Sequence, residues 1–171
     1  MRELFNVLAS SRIPALIIGG HALAVHGVQR NTVDLDCMVV AENRELLTEF
    51  LRARGFDEMS RHKSFSRFRH QSLVYPLLDV MEVDARTWSK MEPESVAGVL
   101  YGHSVRVPAL AHLVALKLHA MKQNPEREPK DLSDIVHLVR GNRGAISDAA
   151  LETLCGRYAP AGYWAKLRNH L

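Results

Sequence analysis

With 171 residues, 47% of them apolar and 24% charged, the chain can bury one domain's core without disulfides or metal staples. No stretch approaches the roughly 18 to 20 consecutive apolar residues of a membrane span, and the opening MRELFNVLAS, with Glu3 and Asn6, does not read as a signal peptide, so a cytoplasmic location is expected. A net charge of +3 with nine histidines suits an anionic partner such as a nucleotide or RNA without requiring one, and the two cysteines, Cys37 and Cys155, read as buried reduced thiols rather than a redox or metal pair.

Leu4, Phe5 and Leu8 recur at helical spacing over residues 1 to 11. After Pro14, ALIIGG reads as a short buried strand ending in a glycine turn, and HALAVHG as a short helix closed by Gly27. TVDLDCMVV alternates Asp34 and Asp36 with Val33, Leu35 and Cys37 and is expected to be the second strand. AENRELLTEFLRARGF follows as an amphipathic helix with Leu46, Leu47, Phe50 and Leu51 inward and a stop at Gly55. Two strands are expected between 64 and 84, SFSRFRHQ and YPLLDVMEV, with Pro76 demoting the first residues of the second to an edge or a strand start. HSVRVPAL is another extended piece, and Pro108 opens a long helix, PALAHLVALKLHAMKQ. Beyond the break NPEREP lies a second helix, KDLSDIVHLVRGN, and the last 25 residues read as one or two helices split at Pro160. The expected class is α/β (α+β): a mixed sheet flanked by helices over 1–107, with a C-terminal helical segment over 108–171 packed on that core.

The segment GGHALAVHGVQRNTVDLDCMVV, residues 19 to 40, concentrates the chemistry. Strand side chains alternate, so Asp34 and Asp36 point to one face, about 6.5 to 7 Å apart along the strand. Two carboxylates so placed repel and call for a cation; hard oxygen donors suit Mg²⁺ or Mn²⁺ shared with substrate phosphates. Gly19 and Gly20 end a strand and open a helix, where bare backbone and free N–H groups admit a triphosphate.

Strand, Gly-Gly, short helix and then RNTVDLD resembles the signature of the DNA polymerase β nucleotidyltransferase superfamily. The later VPALAHLVALKLHAMKQNPEREPKDLSDI is similar to the C-terminal pattern of short bacterial AbiEii-like (abortive infection, toxin-type) members, with Lys117 followed by Arg127, Lys130, Asp131 and Asp134. Gly20 departs from the pattern, since many members carry serine there. The resemblance implies a nucleotidyltransferase fold and a Mg²⁺- or Mn²⁺-dependent transfer of a nucleoside monophosphate from an NTP to an acceptor hydroxyl. Asp34, Asp36 and a third carboxylate would hold metal and act in catalysis. Gly19, Gly20, His21, Arg30, Thr32, Lys117, Lys130 and Asp131 would line the nucleotide. The acceptor by the same resemblance is a tRNA 3′ end, a partner protein or a small molecule such as an antibiotic, and a cognate antitoxin is a possible partner; no membrane is implied.

LLDVMEVD offers Asp79, Glu82 and Asp84 for the third carboxylate, on alternate faces of a regular strand. Asp79, flanked by apolar residues, is the expensive place for a charge and therefore the expected partner of the pair. Each of the other residues has a plain structural reading: Lys117 as a lysine whose stem covers apolar surface, Asp131 as a first-turn charge, and Asp134 as the i,i+4 partner of Lys130. Arg30 is expected to support the carboxylates or a phosphate bidentately. RHKSFSRFRH reads as an ordinary basic strand with RNA contact as its other reading. A catalytically silent module that binds nucleotide or a partner protein is the alternative function.

Overall fold

The structure, a computed structural model, describes residues 1–171. The chain divides into two units, Met1–Val25 with Arg30–Pro108 and His26–Gln29 with Ala109–Leu171. The short segment His26–Gln29 belongs with the helical unit, to which Asn142 Nδ2 ties it by donating to the His26 carbonyl at 2.9 Å.

In the first unit, α1 (Arg2–Ser11) precedes β1 (Leu16–Ile17), α2 (Gly19–Val25), β2 (Leu35–Val40) and α3 (Arg44–Arg52). The hairpin β3 (Phe56–His62) and β4 (Phe65–His70) leads to β5 (Leu78–Val83), α4 (Ala85–Met91) and a second hairpin, β6 (Val96–Leu100) and β7 (His103–Val107). The five-stranded sheet runs β1-β2-β5-β4-β3; β2 and β5 are parallel and their other neighbours antiparallel, while β6 and β7 form a separate two-stranded sheet. Parallel strands need a crossover, here α3 with the β3–β4 hairpin. One face of the sheet carries Leu35, Cys37, Val39, Leu78, Val80, Phe68 and Phe56, all buried, and is closed by Leu47, Thr48 and Leu51 of α3. The opposite face carries Asp36 and Asp79.

Three elements were not expected from the sequence. β3 is a charged edge strand, FDEMSRH, whose alternation is broken by a bulge between Glu58 and Ser60. α4 and β6 are short and mostly solvated, and so carry little apolar period to read. In α3 the inward face is narrower than expected. Leu46 is 58% exposed and Phe50 only half-buried beneath the Arg54 guanidinium, because the helix turns Leu47, Thr48 and Leu51 to the sheet.

The second unit packs α5 (Leu110–Gln123) against α6 (Glu128–Gly141) and α7 (Asp148–Tyr158), with α8 (Tyr163–Arg168) on α7. Leu113, Val114, Leu118, Met121, Ile135, Leu138, Leu151, Cys155 and Leu167 form its core. No helix of the chain is long and apolar enough to cross a membrane. Cys37 and Cys155 are free and buried, and burial pushes the Cys155 thiol up to about 11.

Candidate active site

Gly19 and Gly20 begin α2 immediately after β1, and the neighbouring β2 brings Asp36 to the same place: Ile18 N–H donates to the Asp36 carbonyl at 3.0 Å. Gly19 has φ +62°, and a Cβ built on it would stand 2.1 Å from Asp36 Oδ2. The bare Cα at position 19 therefore admits the chain's own carboxylate. Gly20 faces a different pair. Its Cβ would meet Arg30 Nη2 at 2.8 Å and Thr32 Cβ at 2.8 Å, so a guanidinium and a hydroxyl-bearing side chain fill the space that a serine there would need. Thr32 Oγ1 donates to the Asp34 carbonyl at 3.3 Å, which braces the turn into β2. Asp34 itself stands one residue ahead of the strand, half-buried.

The parallel register sets Asp36 opposite Asp79, so the two carboxylates share a face. Glu82 lies on the other face, under α3, where Ser66 Oγ donates to it at 2.8 Å. Asp84 leaves the sheet altogether and caps α4, accepting from Thr87 N–H at 2.6 Å. That bond holds its carboxyl below the usual range. Asp79 is buried, and Arg67, its cross-strand neighbour on β4, grips it bidentately: Nε donates to Oδ1 at 2.7 Å and Nη2 to Oδ2 at 2.6 Å. The bond to Asp79 is the first cause that raises the Arg67 pKa, and the fields of Asp79, Asp34 and Asp36 add to it. Sequence reasoning missed Arg67, which it placed in an undifferentiated basic strand; alternation along SFSRFRH, opposite the lone aspartate of LLDVM, is the signal that pairs them.

Among the nucleotide residues inferred from the sequence, His21 is buried against Phe5 and Tyr101, with ring centroids 6.0 and 5.7 Å away. Burial, then the chain's amino terminus and Arg30, lower its pKa. It is a buried packing ring whose charged form is disfavoured, set edge-on to Tyr101 in the hairpin turn.

In the helical unit, Lys117 is buried rather than covering surface, and donates to Asp134 Oδ2 at 2.6 Å and Asp131 Oδ1 at 3.1 Å. Arg127 Nε adds a bond to Asp131 Oδ2 at 2.9 Å. Asp134 thus pairs with Lys117 of α5, a partner that the i,i+4 reading did not name, and it lies on the buried face of α6. Asp131 does sit in the first turn of α6, but as a fully buried ion-pair partner.

No three His, Cys, Asp or Glu side chains are gathered into a ready-made metal cage; Asp79 is turned onto Arg67. The donors nevertheless fit a hard cation that arrives with phosphates. Mg²⁺ is ordinarily held by one or two carboxylates plus substrate oxygens and water, and Asp34 and Asp36 supply two carboxylates at this turn, that of Asp36 seated against the bare Cα of Gly19.

The model of the family described as nucleotidyl transferase AbiEii toxin, type IV TA system, matches residues 2–168. Among solved structures the chain is similar to the antibiotic-resistance factor ANT(2'')-Ia in solution, with TM-score 0.71 and 16% identity over 99% of this chain and 95% of that one. A crystal structure of ANT(2'')-Ia with adenylyl-2''-tobramycin gives 0.68 and 17% over 98% and 97%. An antigenic nucleotidyltransferase-like protein from Paracoccidioides brasiliensis gives 0.58 and 18% over 98% and 89%. At these identities the likeness is one of fold. No curated protein sequence matches the chain.

Proposed function

The chain belongs to the AbiEii family of nucleotidyl transferase toxins, and on that footing we propose that it moves a nucleoside monophosphate from an NTP to an acceptor hydroxyl with a divalent cation. The observation that carries the proposal is the Asp36 carboxylate resting on the bare Cα of Gly19, in register with Asp79. Asp34 and Asp36 hold Mg²⁺ or Mn²⁺, with Asp79 as the third carboxylate. The bound cation supplies neutralisation of phosphate charge and acidification of the attacking hydroxyl. The turn at Gly19 and Gly20 offers backbone N–H groups to the phosphates, and Arg30 with Thr32, packed against Gly20, adds donors at the same turn. The acceptor oxygen attacks the α-phosphorus, the bond to the bridging oxygen breaks, and pyrophosphate leaves with its electron pair. Asp79 receives the acceptor's proton. Lys117 and Asp131 serve as a buried brace of the helical unit.

The family's description extends the proposal to a toxin with a cognate antitoxin, and an NTP donor goes with a cytoplasmic site of action. A second reading, nucleotide binding without transfer, is favoured by the Arg67 grip on Asp79. Incubation with each α-labelled NTP, Mg²⁺ or Mn²⁺, and in turn total tRNA, lysate protein or an aminoglycoside separates the two. Transfer predicts label on one acceptor with the native chain and none with Asp36→Asn. Nucleotide binding with no labelled acceptor of any kind leaves the binding module.

A further inference from the structure

Arg67, Asp79 and Asp36 lie side by side across three adjacent strands, one cation and two carboxylates in a row on one face. The row is unevenly built. Asp79's side chain is 7% exposed, whereas that of Arg67 is 41% exposed, so the carboxylate is fixed and the guanidinium has room to leave. A guanidinium in this place does for the carboxylates what a divalent ion would do: it neutralises their repulsion. It also opposes such an ion, by occupying both oxygens of Asp79 and by placing a like charge next to Asp36. A triphosphate reverses that balance, because its oxygens offer the guanidinium a bidentate partner of the same geometry as the carboxylate it gives up.

We propose that Arg67 is an exchangeable counter-ion that couples cation binding to nucleotide binding, holding Asp79 in the free protein and passing to the phosphates when a nucleotide enters. The proposal rests on the reading of Asp34, Asp36 and Asp79 as the acidic side of a nucleotide site, and assigns Arg67 a positioning role within it. Its consequence is a positive linkage: the cation alone competes with Arg67, and the cation with nucleotide does not.

The linkage has a signature that a merely structural arginine lacks, namely opposite effects on two affinities. Mn²⁺ binding to the nucleotide-free protein is followed by electron paramagnetic resonance of free Mn²⁺. Binding of a fluorescent, non-hydrolysable NTP analogue is followed in saturating Mg²⁺. Arg67→Gln should bind Mn²⁺ alone about fivefold or more tighter than the native chain, and the Mg²⁺–analogue complex about tenfold weaker, the loss of a charged hydrogen bond. Arg67→Lys keeps the charge and is expected to stay near the native Mn²⁺ affinity, which also covers the case in which the glutamine variant melts early. Asp36→Asn should lose Mn²⁺ binding in both backgrounds. Affinities that move in the same direction, or not at all, would overturn the role of Arg67, as would tight Mn²⁺ binding by Arg67→Gln that survives Asp36→Asn. A native chain that binds neither Mn²⁺ nor the Mg²⁺–analogue overturns the underlying nucleotide site instead.

Discussion

The carboxylate of Asp36 fills the place where a side chain on residue 19 would begin: a Cβ at Gly19 stands 2.1 Å from Asp36 Oδ2 and 2.6 Å from its Cγ. The glycine and the aspartate are therefore a single device, although they lie on different elements and 17 positions apart in the chain.

Gly19→Ala meets two separable penalties. The φ of +62° costs an L-residue about 1 to 2 kcal/mol wherever the carboxylate is. The collision is removed when Asp36 is truncated. Urea unfolding of the four proteins in the Gly19→Ala, Asp36→Ala cycle should show a larger loss for the alanine beside Asp36 than beside Ala at 36, with only the backbone penalty left in the second case. An equal cost in both backgrounds would mean that the carboxylate and the glycine do not constrain each other.

Lys117→Met leaves Asp131 and Asp134 buried without their shared cation. Removing one partner of a buried ion pair costs about 3 to 5 kcal/mol, against the near-neutral cost expected of a lysine that only covers surface. Chemical denaturation is the measurement. A loss below about 1 kcal/mol would return Lys117 to the surface role read from its spacing. The same variant should bind the NTP analogue as the native chain does under conditions where both are folded.

What could be read from the sequence was local. The glycine turn and the alternation that puts Asp79 on the face opposite Glu82 can be read along the chain itself, whereas the pairing of β2 with β5 that sets Asp36 beside Asp79 cannot. Arg67 and Lys117 likewise needed knowledge of which elements are neighbours. Arg67 reads as one of several basic residues in RHKSFSRFRH until β4 is placed against β5. Lys117 finds its partners 14 and 17 residues away. A clue was present in both cases: Asp131 and Asp134, three apart on the apolar side of α6, are carboxylates in search of a cation, and Lys117 among leucines is a cation in search of carboxylates. β3 and α4 escaped for a different reason, since solvated elements leave no apolar period to read.

Glu82 lies beneath α3 with Ser66 Oγ at 2.8 Å and Arg44 Nε at 3.5 Å from the same carboxylate oxygen, while its other oxygen has no hydrogen-bond partner. Burial raises its pKa, opposed by the Ser66 bond and the Arg44 charge. An acid whose folded-state pKa lies above its unfolded one contributes stability that is complete below the unfolded pKa, near 4.3 for glutamate, and lost as pH rises through the folded value. Glu82→Gln keeps an oxygen for Ser66 and cannot ionise. The stability of the native chain minus that of Glu82→Gln, from urea midpoints at a series of pH values, should therefore be greatest at about pH 4 and fall toward neutrality. If the attraction of Arg44 outweighed desolvation, the same difference would rise with pH, and Glu82 would be a stabilising partner of α3 rather than a charge buried at a cost.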